Sequence, residues 1–169
     1  KFQKENITDC TYDVFPLEKI EDFVELYEQH KNLVGLNATI PYKEKIIPFL
    51  DELNEEAKAI GAVNTIKFIN GKMIGYNTDC YGFEMSLKPL LKSHHTSALI
   101  LGTGGASKAV EYVLKKLGIT FQYVSRTKSK NAIAYNEVNS FIIQHSTLII
   151  NSTPIGMYPK IDVAPNLPY

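Results

Sequence analysis

Apolar and polar positions along the chain change period several times, and each change marks an element. Residues 11–17 are rich in β-branched and aromatic side chains and predict a strand. Over residues 18–31, Ile20, Phe23, Val24 and Tyr27 recur at helical spacing, which predicts a helix with one apolar face. Residues 35–40 form a second strand candidate. Pro41, whose φ is fixed near the helical value, suits the opening of a helix running to about residue 53. Residues 57–60 make a short helical turn that Gly61 can end. Two strand-like runs, 62–69 and 72–76, are joined by Asn70-Gly71, the pair favoured in type I′ hairpin turns because both central residues take positive φ. Asn77-Thr78-Asp79 then offers capping oxygens to a helix reaching about residue 92, which Pro89 kinks or shortens.

A polar joint at residues 94–97 precedes a second series. Residues 98–101 are short and wholly apolar, as in a parallel strand buried on both faces. Gly102-Thr-Gly-Gly-Ala-Ser107 follows, then a helix over residues 108–117 closed by Gly118 and a strand over 119–124, the order of a βαβ unit. Residues 147–151 supply another apolar strand, residues 154–169 read as a Pro-rich loop, and residues 128–141 have too weak a period to assign. The expected fold class is α/β, with two α/β domains meeting near residues 79–97.

Composition narrows the classes. The chain is 44% hydrophobic and 21% charged, normal for a soluble globular protein. Its 18 Lys and Arg balance 18 Asp and Glu, which gives no electrostatic footprint for nucleic acid or an anionic membrane surface. No apolar run reaches bilayer length. Cys10 and Cys80 are far apart and in no metal-ligand spacing, so neither a disulfide framework nor a metal site is expected, and a reduced, cytoplasmic setting is the default. The start lacks a secretory pattern and an initiator Met, and the chain is expected to begin inside a longer protein.

The glycine turn carries the first candidate chemistry. Gly102 permits a tight turn, Gly104 lets backbone N–H groups approach a phosphate, and the following helix points its positive end there. Ser107 stands at the third fingerprint position, where Gly or Ala is usual. At the end of the next strand, Ser125-Arg-Thr-Lys128 has no carboxylate for a ribose 2′-OH; its guanidinium and hydroxyls, with Lys128 or Lys130, suit a 2′-phosphate, so the expected cofactor is NADP. The ordinary alternatives are a ligand-free turn and a solvated basic loop. In the first half, Asn37-Ala-Thr-Ile-Pro-Tyr-Lys43, Gly61-Ala-Val-Asn-Thr65 and Gly75-Tyr-Asn-Thr-Asp79 lie at predicted strand ends, where α/β domains place ligands. Singly, each also has an ordinary explanation: Lys43 as a first-turn helix lysine, Asn64 as a polar hairpin residue, Asp79 as a helix cap.

Taken in order, these motifs resemble the shikimate dehydrogenases. That family's pattern runs Asn-Val-Thr-Ile-Pro-His-Lys, Gly-Ala-Val-Asn-Thr, Asn-Thr-Asp-Gly, Gly-x-Gly-Gly-Ala, Asn-Arg-Thr and Asn-x-Thr-Pro-x-Gly-Met. This chain has Asn37-Ala-Thr-Ile-Pro-Tyr-Lys43, Gly61-Ala-Val-Asn-Thr65, Asn77-Thr-Asp-Cys80, Gly102-Thr-Gly-Gly-Ala106, Ser125-Arg-Thr127 and Asn151-Ser-Thr-Pro-Ile-Gly-Met157. The resemblance implies NADPH-dependent, reversible reduction of 3-dehydroshikimate to shikimate, in the pathway to chorismate and the aromatic amino acids. It implies a substrate-binding catalytic domain over residues 1–80 and a Rossmann-like NADP-binding domain over 81–169, both incomplete. Lys43 and Asp79 are implied as the catalytic pair, with Thr39 and Asn64 also binding substrate. Gly102, Thr103, Gly104, Gly105 and Ala106 are implied for the pyrophosphate turn, Ser125, Arg126, Thr127 and Lys130 for the 2′-phosphate, and Thr153, within residues 151–157, for the nicotinamide side.

Tyr42, Ala38, Cys80 and Ser125 replace the pattern's usual His, Val, Gly and Asn. Cys80, at a helix start, is expected to be a modestly reactive thiol. The family's N-terminal strand with its Ser loop, and the strands and Gln-bearing helix beyond the last motif, are expected to lie outside residues 1–169. The expected partner is the small-molecule substrate, with no nucleic acid or membrane, in a monomer or homodimer. Competing readings are a quinate/shikimate dehydrogenase using NAD, a paralogue on a related hydroxy acid, and a non-catalytic NADP-sensing module of the same fold.

Overall fold

A computed structural model describes residues 2–168. The chain divides into two compact units, residues 1–33 and 34–169. In the first, α1 spans Asp22–Gln29, within the predicted helix, and turns Phe23 inward while Val24 stays half exposed. Phe15 packs its ring 4.8 Å from that of His30. Residues 11–17, predicted as a strand, are irregular. Among the described residues no strand pairs with them, and a β-rich composition makes no strand without a neighbouring ladder; Tyr12 and Val14 are exposed.

The second unit holds two four-stranded sheets. The first is mixed: β1 (Gly35–Asn37), β3 (Thr65–Ile69) and β4 (Lys72–Tyr76) are antiparallel neighbours, and β2 (Glu52–Leu53) lies parallel to β4 at the edge. The hairpin takes the predicted turn, with φ 51° at Asn70 and 78° at Gly71. The helix expected over residues 41–53 does not form. One α-type bond, Ile46 N–H to Tyr42 O, is followed by a short 3-10 turn at Ile47–Phe49 and then β2. Pro48 has no N–H to donate and its ring opposes the carbonyl four residues earlier, so a longer α-helix is excluded. Asn54 caps α2 (Glu55–Ile60), which Gly61 closes at φ 68°.

α3 (Asp79–Leu87) is shorter than predicted, passing into a 3-10 turn at Lys88–Leu90 that contains Pro89. The second sheet is wholly parallel, in the order β7-β6-β5-β8, with β5 at Ser97–Leu101, β6 at Thr120–Ser125, β7 at Ala132–Ala134 and β8 at Leu148–Asn151. α4 (Gly105–Lys116) begins three residues before the predicted start, taking the end of the glycine turn as its first residues. α5 (Ser140–His145), capped by Asn139, and β7 resolve the segment that had no clear period. Residues 154–168 are without regular structure, as predicted.

Alternation along β5 sets the layers. Ala98 and Ile100 pack with Leu87, Val110 and Leu114 from α3 and α4, while Leu99 and Leu101 pack with Val124, Val138 and Leu167 against Ile142 and Ile143 of α5. Helices therefore cover both faces of a parallel sheet, which is why β5 is apolar throughout. Ile60, Ala62, Cys80, Ala109 and Val113 join α2 and α3 to α4. No described helix is long and apolar enough to cross a membrane.

Candidate active site

Hairpin register builds the first half of the site. Thr65 pairs Tyr76, and Asn64 N–H bonds Tyr76 O at 3.0 Å, so Asn64 stands where the chain leaves β4 for α3. There the Asn77 side chain does the capping: its Oδ1 accepts from the N–H groups of Asp79 (3.1 Å) and Cys80 (3.3 Å), and its Nδ2 donates to Ala62 O at 2.9 Å. Asp79 is therefore not the cap, and its carboxylate is left for side chains. One oxygen accepts from Lys43 Nζ at 2.6 Å and the other from Asn64 Nδ2 at 2.8 Å. Asn64 is itself fixed, since its Oδ1 accepts from Thr78 N–H at 2.8 Å and Thr65 Oγ at 3.1 Å. The Lys43 side chain is 16% exposed and that of Asp79 37%, so the pair is held but reachable from one side.

Lys43 arrives on the irregular segment after β1. Its carbonyl accepts from Val63 N–H at 2.7 Å, and the neighbouring Glu44 pairs with Lys108 of α4 at 2.6 Å. Thr39 lies on the same segment, exposed, its carbonyl accepting from Tyr42 N–H at 2.7 Å. An ammonium oriented by a fixed carboxylate can donate a proton to an oxygen that gains charge, and take it back when the reaction runs in reverse.

The second half lies at the carboxyl ends of the parallel strands. β5 has β6 on one side and β8 on the other, so three loops converge at a topological switch point. The glycine turn takes φ 103° at Gly102, a left-handed value; a methyl group there would come within 3.0 Å of Thr153 and 3.2 Å of Ser152. At Gly104 a methyl group would meet nothing within 4 Å, so the turn is open towards the first N–H groups of α4. That open face and the free first-turn donors fit a dinucleotide phosphate. Thr103 is exposed and Ala106 half-buried on the same turn. Ser107 is fully buried, 2.8 Å from Ser152 Oγ, which in turn bonds Leu101 O at 2.6 Å. A small residue does fit the third fingerprint position, and its hydroxyl ties α4 to the loop after β8.

Gly102 N–H bonds Val124 O at 2.8 Å, setting the glycine turn beside the end of β6. There Ser125 Oγ donates to Thr127 O, Arg126 and Lys130 are exposed, and Lys128 is engaged with Glu137. On the other side, Thr153 Oγ donates to Asn151 Oδ1 at 2.7 Å and accepts from Ile155 N–H at 3.2 Å.

Cys80 corrects an expectation. It is 3% exposed, its Sγ donates to Asn77 O at 3.1 Å, and burial pushes the thiol pKa up. Desolvation outweighs the helix terminus, so this is no activated thiol. Sequence reasoning also passed over Thr65, Thr78, Ser152 and the Glu44–Lys108 pair. The hydroxyls beside Asn64 were within reach of the hairpin register, because a turn at Asn70-Gly71 that pairs Thr65 with Tyr76 puts Asn64 next to residues 77–79. Glu44 and Lys108 are 64 residues apart, and no local signal joins them.

Fold and site first define a class: an α/β protein in which a Rossmann-type glycine turn adjoins a lysine–carboxylate pair. Comparison with known proteins gives the relatives of this chain. Residues 1–66 match the family described as shikimate dehydrogenase substrate binding domain. A shikimate dehydrogenase (NADP(+)) of Staphylococcus haemolyticus is 39% identical over 98% of this chain and 65% of its own length. The crystal structure of shikimate dehydrogenase 1 from Peptoclostridium difficile superposes with a TM-score of 0.81 at 37% identity, over 98% of this chain and 64% of that one. A Thermus thermophilus shikimate 5-dehydrogenase, crystallised in complex with NADP(H) and shikimate, gives 0.71 at 32% identity, over 86% and 57%. Over nearly its whole length the chain is similar to shikimate dehydrogenases. It spans between 53% and 65% of the length of the curated relatives it matches.

Proposed function

We propose that the protein containing this chain reduces 3-dehydroshikimate to shikimate, reversibly, with NADPH. The observation that carries the reading is the Lys43–Asp79 pair, 2.6 Å apart, with the stem of Lys43 lying against the glycine turn. Bound at that turn, NADP(H) supplies or accepts the hydride. In reduction Lys43 gives a proton to the ketone oxygen; in oxidation the same amine recovers it. Asp79 holds Lys43 in position and meets the substrate hydroxyls. Thr39 and Asn64 add hydrogen bonds to substrate, Asn64 while steadying Asp79.

Residues 102–106 and the first turn of α4 would hold the pyrophosphate, Ser125, Arg126, Thr127 and Lys130 the 2′-phosphate, and Thr153 the nicotinamide side. On this reading residues 1–80 serve substrate and catalysis and residues 81–169 serve NADP. The relative from Thermus thermophilus, whose crystals hold both NADP(H) and shikimate, supports the assignment of ligands. Balanced charge and sparse cysteine favour a cytoplasmic enzyme acting on small molecules rather than on nucleic acid or membrane.

The test is turnover by the full-length protein with shikimate or quinate as substrate and NADP or NAD as acceptor. Rapid NADP reduction with shikimate and a poor rate with NAD support the reading. Faster turnover of quinate would reassign the substrate, and bound NADPH without turnover of either acid would make the protein a sensing module.

A further inference from the structure

We infer that Gly105 is a positioning residue for Lys43, and that its missing side chain is required by the lysine rather than by a phosphate. A methyl group on Gly105 would sit 3.1 Å from Lys43 Cβ, 3.4 Å from Lys43 Cδ and 3.5 Å from Ala62 Cβ. One residue earlier, a methyl group on Gly104 would meet nothing within 4 Å. The two adjacent glycines thus face different neighbours: Gly104 the open side of the turn, Gly105 the stem of the lysine.

Lys43 has little room to yield. Its carbonyl is fixed by Val63 N–H at 2.7 Å, and Ala62, beside it, is fully buried. One helical turn beyond Gly105, Lys108 holds Glu44 at 2.6 Å and keeps the segment on α4. With the main chain pinned on both sides, a methyl group must push the stem of Lys43 aside by a few tenths of an ångström, and that strains its 2.6 Å bond to Asp79. Gly105 is the first residue of α4 and takes no left-handed φ, so alanine meets no backbone strain there. Interference with Lys43 therefore separates from damage to the fold. The kinetic half of this inference rests on the proposed role of Lys43; the geometric half does not.

The experiment compares full-length wild type, Gly105→Ala and Gly104→Ala in steady-state kinetics, thermal unfolding and amine labelling of Lys43 followed by mass spectrometry. Gly105→Ala should lose about tenfold or more in kcat, as small misplacements of a catalytic group do, with KM for NADP within about threefold and the thermal midpoint not lowered. Gly104→Ala should instead raise KM for NADP. Without substrate or cofactor present, Lys43 should label several times faster in Gly105→Ala than in wild type, because its ion pair is loosened. An unchanged kcat, a loss seen only through KM for NADP, a collapsed thermal midpoint or equal labelling overturns the inference. If wild type turns over no shikimate, the proposed function fails while labelling still decides the role of Gly105.

Discussion

At Asn64 one amide organises several groups at once: it donates to Asp79, accepts from Thr78 N–H and Thr65 Oγ, and sits where β3 begins and β4 ends. Replacing it with alanine leaves the Thr78 N–H unpaired and one Asp79 oxygen unheld. Asn64→Ala should cost about 1–3 kcal/mol of stability in denaturant titration and lower kcat as well; an unaffected kcat would separate Asn64 from the lysine–carboxylate pair. Sequence already marked Lys43, Asn64 and Asp79, but gave Asp79 two roles, cap or catalyst. The fold decides between them, because Asn77 takes the capping bonds and frees the carboxylate. Cys80 was misjudged for a related reason: a helix start is visible in sequence, the packing that buries it is not. A native-state thiol assay should therefore find one fast thiol, the exposed Cys10, with Cys80 reacting only on unfolding. Equal rates for both would contradict the burial of Cys80.

Among elements, those whose signal is local were legible. Asn70-Gly71 fixed the hairpin, the apolar run fixed β5, and Gly61 and Gly118 marked the ends of α2 and α4. Elements that depend on distant partners were not: residues 11–17 have the composition of a strand but no ladder among the described residues, and β2 and β7 are too short to show a period. The α3–α4 contact is of this long-range kind. Glu84 of α3, buried, pairs with Lys116 of α4 at 2.8 Å and with Lys88 at 2.6 Å. Hydrogen bonds from Lys116 and then Lys88 hold its carboxyl below the usual value. A folded-state pKa below the unfolded one stabilises at pH above the unfolded value of 4.5 and is lost as pH falls through the folded value. Glu84→Gln should therefore lower the thermal midpoint at neutral pH, with the difference from wild type shrinking on acidification below 4.5. A difference independent of pH would assign the effect to packing instead.

For the whole molecule, the order of motifs along the chain carried the resemblance before any contact was known, since each motif lies at an end of a strand that the fold uses. What the order did not carry is how the motifs meet. β5 lies between β6 and β8, which gathers residues 102–107, 125–130 and 151–157 at one sheet edge, and Lys43 comes against that edge through Gly105. Arg126, like Lys130, is an exposed cation at this edge assigned to the 2′-phosphate. Loss of its charge-assisted bonds in Arg126→Ala should reduce kcat/KM for NADP by about tenfold to a hundredfold with little change for NAD. An equal loss with both cofactors would place Arg126 away from the 2′-phosphate.

The central claim is that Lys43 moves the proton. The most direct measurement is steady-state oxidation of shikimate by the full-length protein and its Lys43→Ala variant. kcat should fall by about a hundredfold to ten-thousandfold, the range of general acid–base catalysis, while KM for shikimate changes far less. A variant that keeps its kcat and loses only substrate binding would contradict the account.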